Sequence, residues 1–165
     1  MSRVPTDETL LALAHRISER LGDSRWQLVS AESCTGGWIA KLLTDVPGCS
    51  DWFERGFVTY TNQSKQEMLG VPAEVLAQHG AVSDAAVRAM AEGAIGHSPA
   101  NLALSVSGIA GPGGGRPDKP VGLVWFGWAV QPASGDSVTV TSESRVFNGN
   151  RDDVRRQAVA RALEG

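Results

Sequence analysis

Cysteine, histidine and net charge are all scarce in this sequence, and each shortage closes off a class of function. Two cysteines, Cys34 and Cys49, in 165 residues are too few for a disulfide framework. They also lack the spacing of metal ligands, and the three scattered histidines, His15, His79 and His97, do not make up the deficit. A metal site is therefore not expected. Fifteen Lys and Arg against eighteen Asp and Glu leave a net charge of −3. Proteins that coat nucleic acid carry a basic excess, so no direct nucleic-acid binding is expected. No apolar run approaches the roughly 18 residues of a membrane span, and the amino terminus has no signal-peptide core. A soluble cytoplasmic protein with no membrane partner is the expectation.

What the chain does contain is a foldable mixture with extra glycine. Hydrophobic residues make up 42% and charged residues 20%, enough apolar content for a core. The length suits a single domain, residues 1–165. At this size about 70% of the unfolded surface can be buried without metal or disulfide staples. The 19 glycines exceed the average share of roughly 7%. They gather at Gly36-Gly37 and between Gly108 and Gly115, and clustered glycine brings backbone close to another segment or to a ligand.

Periodicity predicts alternating strands and helices. Thr6 caps a helix that ends at Gly22, with Leu10, Leu13, Ile17 and Leu21 at helical spacing. Trp26 to Ala31 reads as a strand that runs into Glu32-Ser33-Cys34-Thr35-Gly36-Gly37 and then a helix from Trp38. Phe53 to Thr61 is a second strand, followed by short helices at Ser64–Leu69 and Pro72–Gln78. Ser83 caps a helix over Asp84–Ile95. Leu102 to Val106 is a third strand, and the nearly continuous apolar run Val121–Val130 is expected to be buried on both faces. Ser137 to Phe147 alternates as a hairpin arm nearer the edge, and Asn150 caps a last helix over Arg151–Leu163. The expected class is α/β.

Two glycine-rich turns follow predicted strands directly. If those strands are parallel, the turns meet at the same strand ends, where open α/β sheets bind ligands. Neither turn fits GxGxxG, and GxxxxGK[ST] is absent, so dinucleotide and nucleoside triphosphate sites are not supported. Ser33 stands where strand passes into helix, near the amides of Thr35, Gly36 and Gly37. It is either a nucleophile with an oxyanion site at hand or a plain helix cap. Cys34 is a rival nucleophile, although a small buried apolar residue is the favoured reading. Tyr60 ends a strand and Lys65 follows five residues later, which breaks the short-chain dehydrogenase pattern but still allows both to converge on Ser33. Lys65 serves as a base only if its pKa falls below about 10.4; otherwise it is a solvated surface lysine. No Ser-His-Asp triad stands out.

At these same positions the sequence resembles a known family. The segments Ala31-Glu32-Ser33-Cys34-Thr35-Gly36-Gly37, Tyr60-Thr61-Asn62-Gln63-Ser64-Lys65, Leu69-Gly70-Val71-Pro72, His79-Gly80-Ala81-Val82-Ser83 and Gly108-Ile109-Ala110-Gly111-Pro112-Gly113-Gly114 are similar to the CinA C-terminal domain family. Its members are bacterial nicotinamide-nucleotide amidohydrolases, also called NMN deamidases. The resemblance implies a three-layer α/β/α sandwich with a mixed, mostly parallel sheet, usually a homodimer. It implies hydrolysis of nicotinamide mononucleotide to nicotinate mononucleotide and ammonia, with no cofactor and no metal. Ser33, Tyr60 and Lys65 are its implied catalytic residues. Thr35, Gly36, Gly37, Asn62, Ser107, Gly108, Gly111, Gly113 and Gly114 are the candidates for binding the oxyanion or substrate. Outside the resemblance, Arg116, Lys119 and Arg151 are either charge partners of the phosphate or ordinary surface residues. One departure is Gln63, where the family usually has an acidic residue. The alternative is a non-catalytic nucleotide-sensing or partner-binding module linked to competence or DNA damage.

Overall fold

The computed structural model describes residues 4–165. The element order is α1 (Asp7–Leu21), β1 (Leu28–Glu32), α2 (Trp38–Thr44), a 3₁₀ turn (Cys49–Asp51), β2 (Phe53–Val58), α3 (Asn62–Leu69), α4 (Ala73–His79), α5 (Asp84–Gly96), β3 (Leu102–Gly108), β4 (Leu123–Val130), β5 (Thr139–Val146) and α6 (Arg151–Glu164). The caps read from sequence are in place. The Thr6 hydroxyl accepts the Thr9 N–H at 3.2 Å, and Asn150 accepts those of Asp152 and Asp153 at 2.9 and 3.0 Å. Each satisfies amide donors that the first helical turn leaves unpaired.

The strands form one sheet in the order β2-β1-β3-β4-β5. β1 is parallel to both β2 and β3, whereas β4 runs antiparallel to β3 and to β5. The sheet is mixed as expected: four strands share one direction, while the four pairings divide evenly between parallel and antiparallel. Side chains alternate across it. Leu104, Val106, Val124 and Phe126 pack against α1, α2 and α6, and Val29, Ala31, Ala103 and Ala129 pack against α3, α4 and α5. The result is three layers, α/β/α.

β4 departs from its expected burial. Val124, Phe126 and Ala129 are buried, but Trp125 and Trp128 are only half-buried. On one face Trp125 borders an open groove rather than a helix. β5 lies at the sheet edge with mostly exposed side chains, as its alternation predicts. No helix among the described residues is long and apolar enough to cross a membrane. Because β1 and β3 are adjacent and parallel, their glycine-rich exits lie side by side.

Candidate active site

β1 ends at Glu32, and the next residue is held between two neighbouring segments. The Ser33 N–H donates to the Val106 carbonyl at 3.0 Å, and the Thr59 N–H donates to the Glu32 carbonyl at 2.8 Å. The chain then turns sharply into α2, with Gly36 N–H on the Ser33 carbonyl at 3.0 Å. Gly36 and Gly37 adopt φ of +62° and +93°, values that cost other residues about 1–2 kcal/mol. The fully buried Glu32 carboxylate accepts the N–H groups of Ile39 at 2.8 Å and Ala40 at 3.0 Å. Burial raises its pKa above the usual carboxylate range, while those amide donors pull it down. From the far end of the chain, Arg155 donates to the carbonyls of Cys34 at 3.1 Å and Thr35 at 3.2 Å. The turn is thus braced from inside and outside.

This bracing redirects the expected oxyanion donors. The Gly36 N–H is taken by Ser33, and Glu32 occupies the start of α2. Neither Gly36, Gly37 nor Thr35 borders the cavity beside Ser33. Among the described residues the N–H groups of Cys34 and Thr35 make no hydrogen bond, and Cys34 does border that cavity. Its thiol is not a rival nucleophile, because burial pushes its pKa up to about 12.

Lys65 reaches the same place from α3. Thr61 caps that helix, exchanging hydrogen bonds with Ser64 in a capping box. Lys65 itself is 0% exposed. Its Nζ lies 2.9 Å from Ser33 Oγ, donates to the Thr59 carbonyl at 2.7 Å and approaches the Tyr60 carbonyl at 3.3 Å. All three partners are neutral. Burial without a carboxylate partner lowers its pKa to about 8, so a neutral amine is within reach near neutral pH. Gln63 does not touch it: the Gln63 side chain is exposed and donates to Glu67 at 2.6 Å.

Tyr60 contacts Lys65 only through its backbone. Its side chain is 60% exposed, and Arg151 Nη2 donates to the phenol oxygen at 3.3 Å while Nη1 donates to the Gly111 carbonyl at 2.8 Å. A cavity of about 280 Å³ opens between these groups. Ser33, Tyr60, Lys65 and Arg151 border it, as do Ser107, Gly108, Gly111, Gly113 and Gly114 from the exit of β3. Asn62 is exposed at the start of α3 and does not border it. Sequence reasoning missed the Ala81-Val82 wall, whose signal was the His79–Ser83 motif. It also missed Glu32 as the anchor of α2, for which no local pattern exists.

A serine hydroxyl paired with an amine of lowered pKa, beside unpaired amides and an open cavity, is an arrangement suited to acyl transfer. Fold and site together define a three-layer α/β protein with a buried serine–lysine pair beside a cavity at the strand ends. Residues 10–165 match the CinA C-terminal domain, and the chain belongs to that family. It is 51% identical over 159 residues to the nicotinamide-nucleotide amidohydrolase PncC of Escherichia coli K12, covering 96% of this chain and 93% of that protein. It is 50% identical to PncC of Pseudomonas putida over 158 residues, covering 96% and 95%. The crystal structure of the competence/damage inducible protein CihA from Agrobacterium tumefaciens superposes with a TM-score of 0.87 at 44% identity, covering 99% of this chain and 96% of that one.

Proposed function

We propose that this protein hydrolyses the carboxamide of nicotinamide mononucleotide, releasing nicotinate mononucleotide and ammonia, with Ser33 as nucleophile and Lys65 as its base. One observation carries the roles: the buried Lys65 Nζ lies 2.9 Å from Ser33 Oγ with only neutral groups around it. The substrate rests on the amidohydrolases that share about half of this sequence along nearly its whole length.

Neutral Lys65 takes the Ser33 proton as Oγ attacks the carboxamide carbon. The Thr59 and Tyr60 carbonyls then hold the resulting ammonium in place. The oxyanion faces the free N–H group of Cys34, which borders the cavity, and one such donor is worth about 3 kcal/mol in the transition state. Lys65 returns the proton to the departing ammonia, and water, activated by the same amine, cleaves the nicotinoyl ester. The electron-withdrawing pyridinium ring favours both attacks. Tyr60 and Arg151 stand at the mouth of the cavity as substrate contacts, since the phenol is turned to Arg151 rather than to the amine.

Ammonia release from nicotinamide mononucleotide tests the assignment. Ser33→Ala is expected to lower kcat at least about 10³-fold, and activity within tenfold of wild type would remove Ser33 as nucleophile.

A further inference from the structure

The cavity at Ser33 is small for a nucleotide, at about 280 Å³, whereas ligand sites usually span about 300–1,000 Å³. It does not stop at its own wall. Val82 also borders a second, larger groove of about 760 Å³. Two loops pass from one to the other. Ala81 borders the cavity and Gly80 and Ser83 the groove, while Gly113 and Gly114 border the cavity and Arg116 the groove.

Two cations are fixed there as a pair. Arg116 and Lys119 form an antiparallel bridge, exchanging backbone hydrogen bonds of 2.8 and 3.0 Å. Residues opposed in such a pair send their side chains to the same face, and both border the groove. The Lys119 ammonium donates to a neutral partner, the His79 carbonyl, at 2.5 Å. It rests over Gly80, where a Cβ would come within 3.1 Å of Nζ and where φ is +74°. Arg116 has only Asp118, 3.6 Å away, with both side chains largely exposed. The other carboxylate of the groove, Asp84, is already held by Arg88 and Ser142. Positive charge is therefore left over at this spot in a chain whose net charge is −3. Trp125 of β4 supplies an aromatic wall beside it.

We infer that this groove is the phosphate half of the substrate site, in which Arg116 and Lys119 together receive the phosphate monoester of the mononucleotide whose carboxamide lies at Ser33. The inference rests on the amidase reading. It assigns the choice of nucleotide over nucleoside to the 116–119 bridge, and leaves Arg151 with the ring end of the ligand. Two cations on one face match a dianionic phosphate, and in an open groove their attraction is screened by salt.

The test compares wild type with the double variant Arg116→Ala/Lys119→Ala. It measures kcat and KM for nicotinamide mononucleotide, together with calorimetric binding of nicotinate mononucleotide. The double variant is expected to raise KM at least tenfold, with the loss carried by KM rather than kcat, and to weaken nicotinate mononucleotide binding by a similar factor. Unchanged KM and binding would overturn the inference, as would a loss confined to Arg151→Ala. If wild type releases no ammonia, the amidase reading fails, and the binding measurement still decides the groove. Weaker binding by the double variant then supports it, and equal binding or none by wild type refutes it. Thermal melting of both forms checks that these exposed substitutions leave the fold intact.

Discussion

The two glycine-bearing turns leave adjacent parallel strands on the same side of the sheet, yet they are held in opposite ways. After β1, Ser33, Cys34 and Thr35 are buried, and the segment is tied by Glu32 from within and Arg155 from without. After β3, residues 112–118 are exposed. That loop is anchored mainly at its base, by Ile109 N–H on the Leu123 carbonyl at 2.9 Å and Gly122 N–H on the Ile109 carbonyl at 2.8 Å. Bond making requires reacting atoms placed within a fraction of an ångström, and the first turn has the rigidity that the proposed attack by Ser33 needs. Entry and exit of a ligand require an accessible wall, and the second loop supplies it.

The comparison breaks most completely at Lys65. Lys65→Met keeps the bulk but removes the proton acceptor, and kcat should fall at least about 10³-fold. Lys65→Arg should fail equally, because a guanidinium keeps its proton. In wild type, kcat/KM should climb with pH and level off above about 8, as the amine becomes neutral. The same group makes stability pH-dependent. A pKa of about 8 in the fold against 10.5 outside it means that the unfolded chain binds more protons between those values. Stability should therefore rise from about pH 8 to 10.5, and the burial costs roughly 3 kcal/mol at neutral pH. Melting curves of Lys65→Met should lack that rise.

A smaller effect is expected at Glu32. Glu32→Gln leaves one acceptor oxygen for the two N–H groups of Ile39 and Ala40 and turns an amide donor towards the other. A loss of about 1–3 kcal/mol in denaturant unfolding follows, with kcat lowered because the Ser33 turn loosens. The contrast is sharpest in a pair of glycines. Gly36→Ala must adopt a φ near +62° with Arg155 Nη2 only 3.4 Å from its Cβ, and should cost about 1–2 kcal/mol. Gly113→Ala meets nothing within 4 Å and needs no positive φ, and its stability should stay within about 0.5 kcal/mol of wild type. Equal losses at the two sites would erase the distinction between a braced turn and an open loop.

Much of this was legible in residue order. The caps at Thr6, Ser83 and Asn150 are local side-chain-to-amide bonds, so a few adjacent residues specify them. The meeting of Ser33 and Lys65 was legible as a possibility, since each follows the end of a predicted strand. The burial of Lys65 was not. It depends on α3 folding back over the end of β2, and within α3 only Leu69, one turn further on, shares its buried face. The direction of the Tyr60 phenol was equally hidden, because a strand-end side chain is aimed by its partner, here Arg151, far away in sequence. The apolar run of β4 marked a strand but overstated its burial, since Trp125 and Trp128 stay half-buried, and hydrophobicity does not encode direction: the strand runs against both neighbours.

α6 reaches both turns at once: Arg151 holds the Gly111 carbonyl, and Arg155, one helical turn later, holds those of Cys34 and Thr35. During synthesis Ser33, the proposed nucleophile, therefore emerges long before the struts that steady it. Residue 33 has left the ribosome more than a hundred codons before residue 155 can dock, so a nascent chain carries Ser33 on an unbraced turn until translation is almost over.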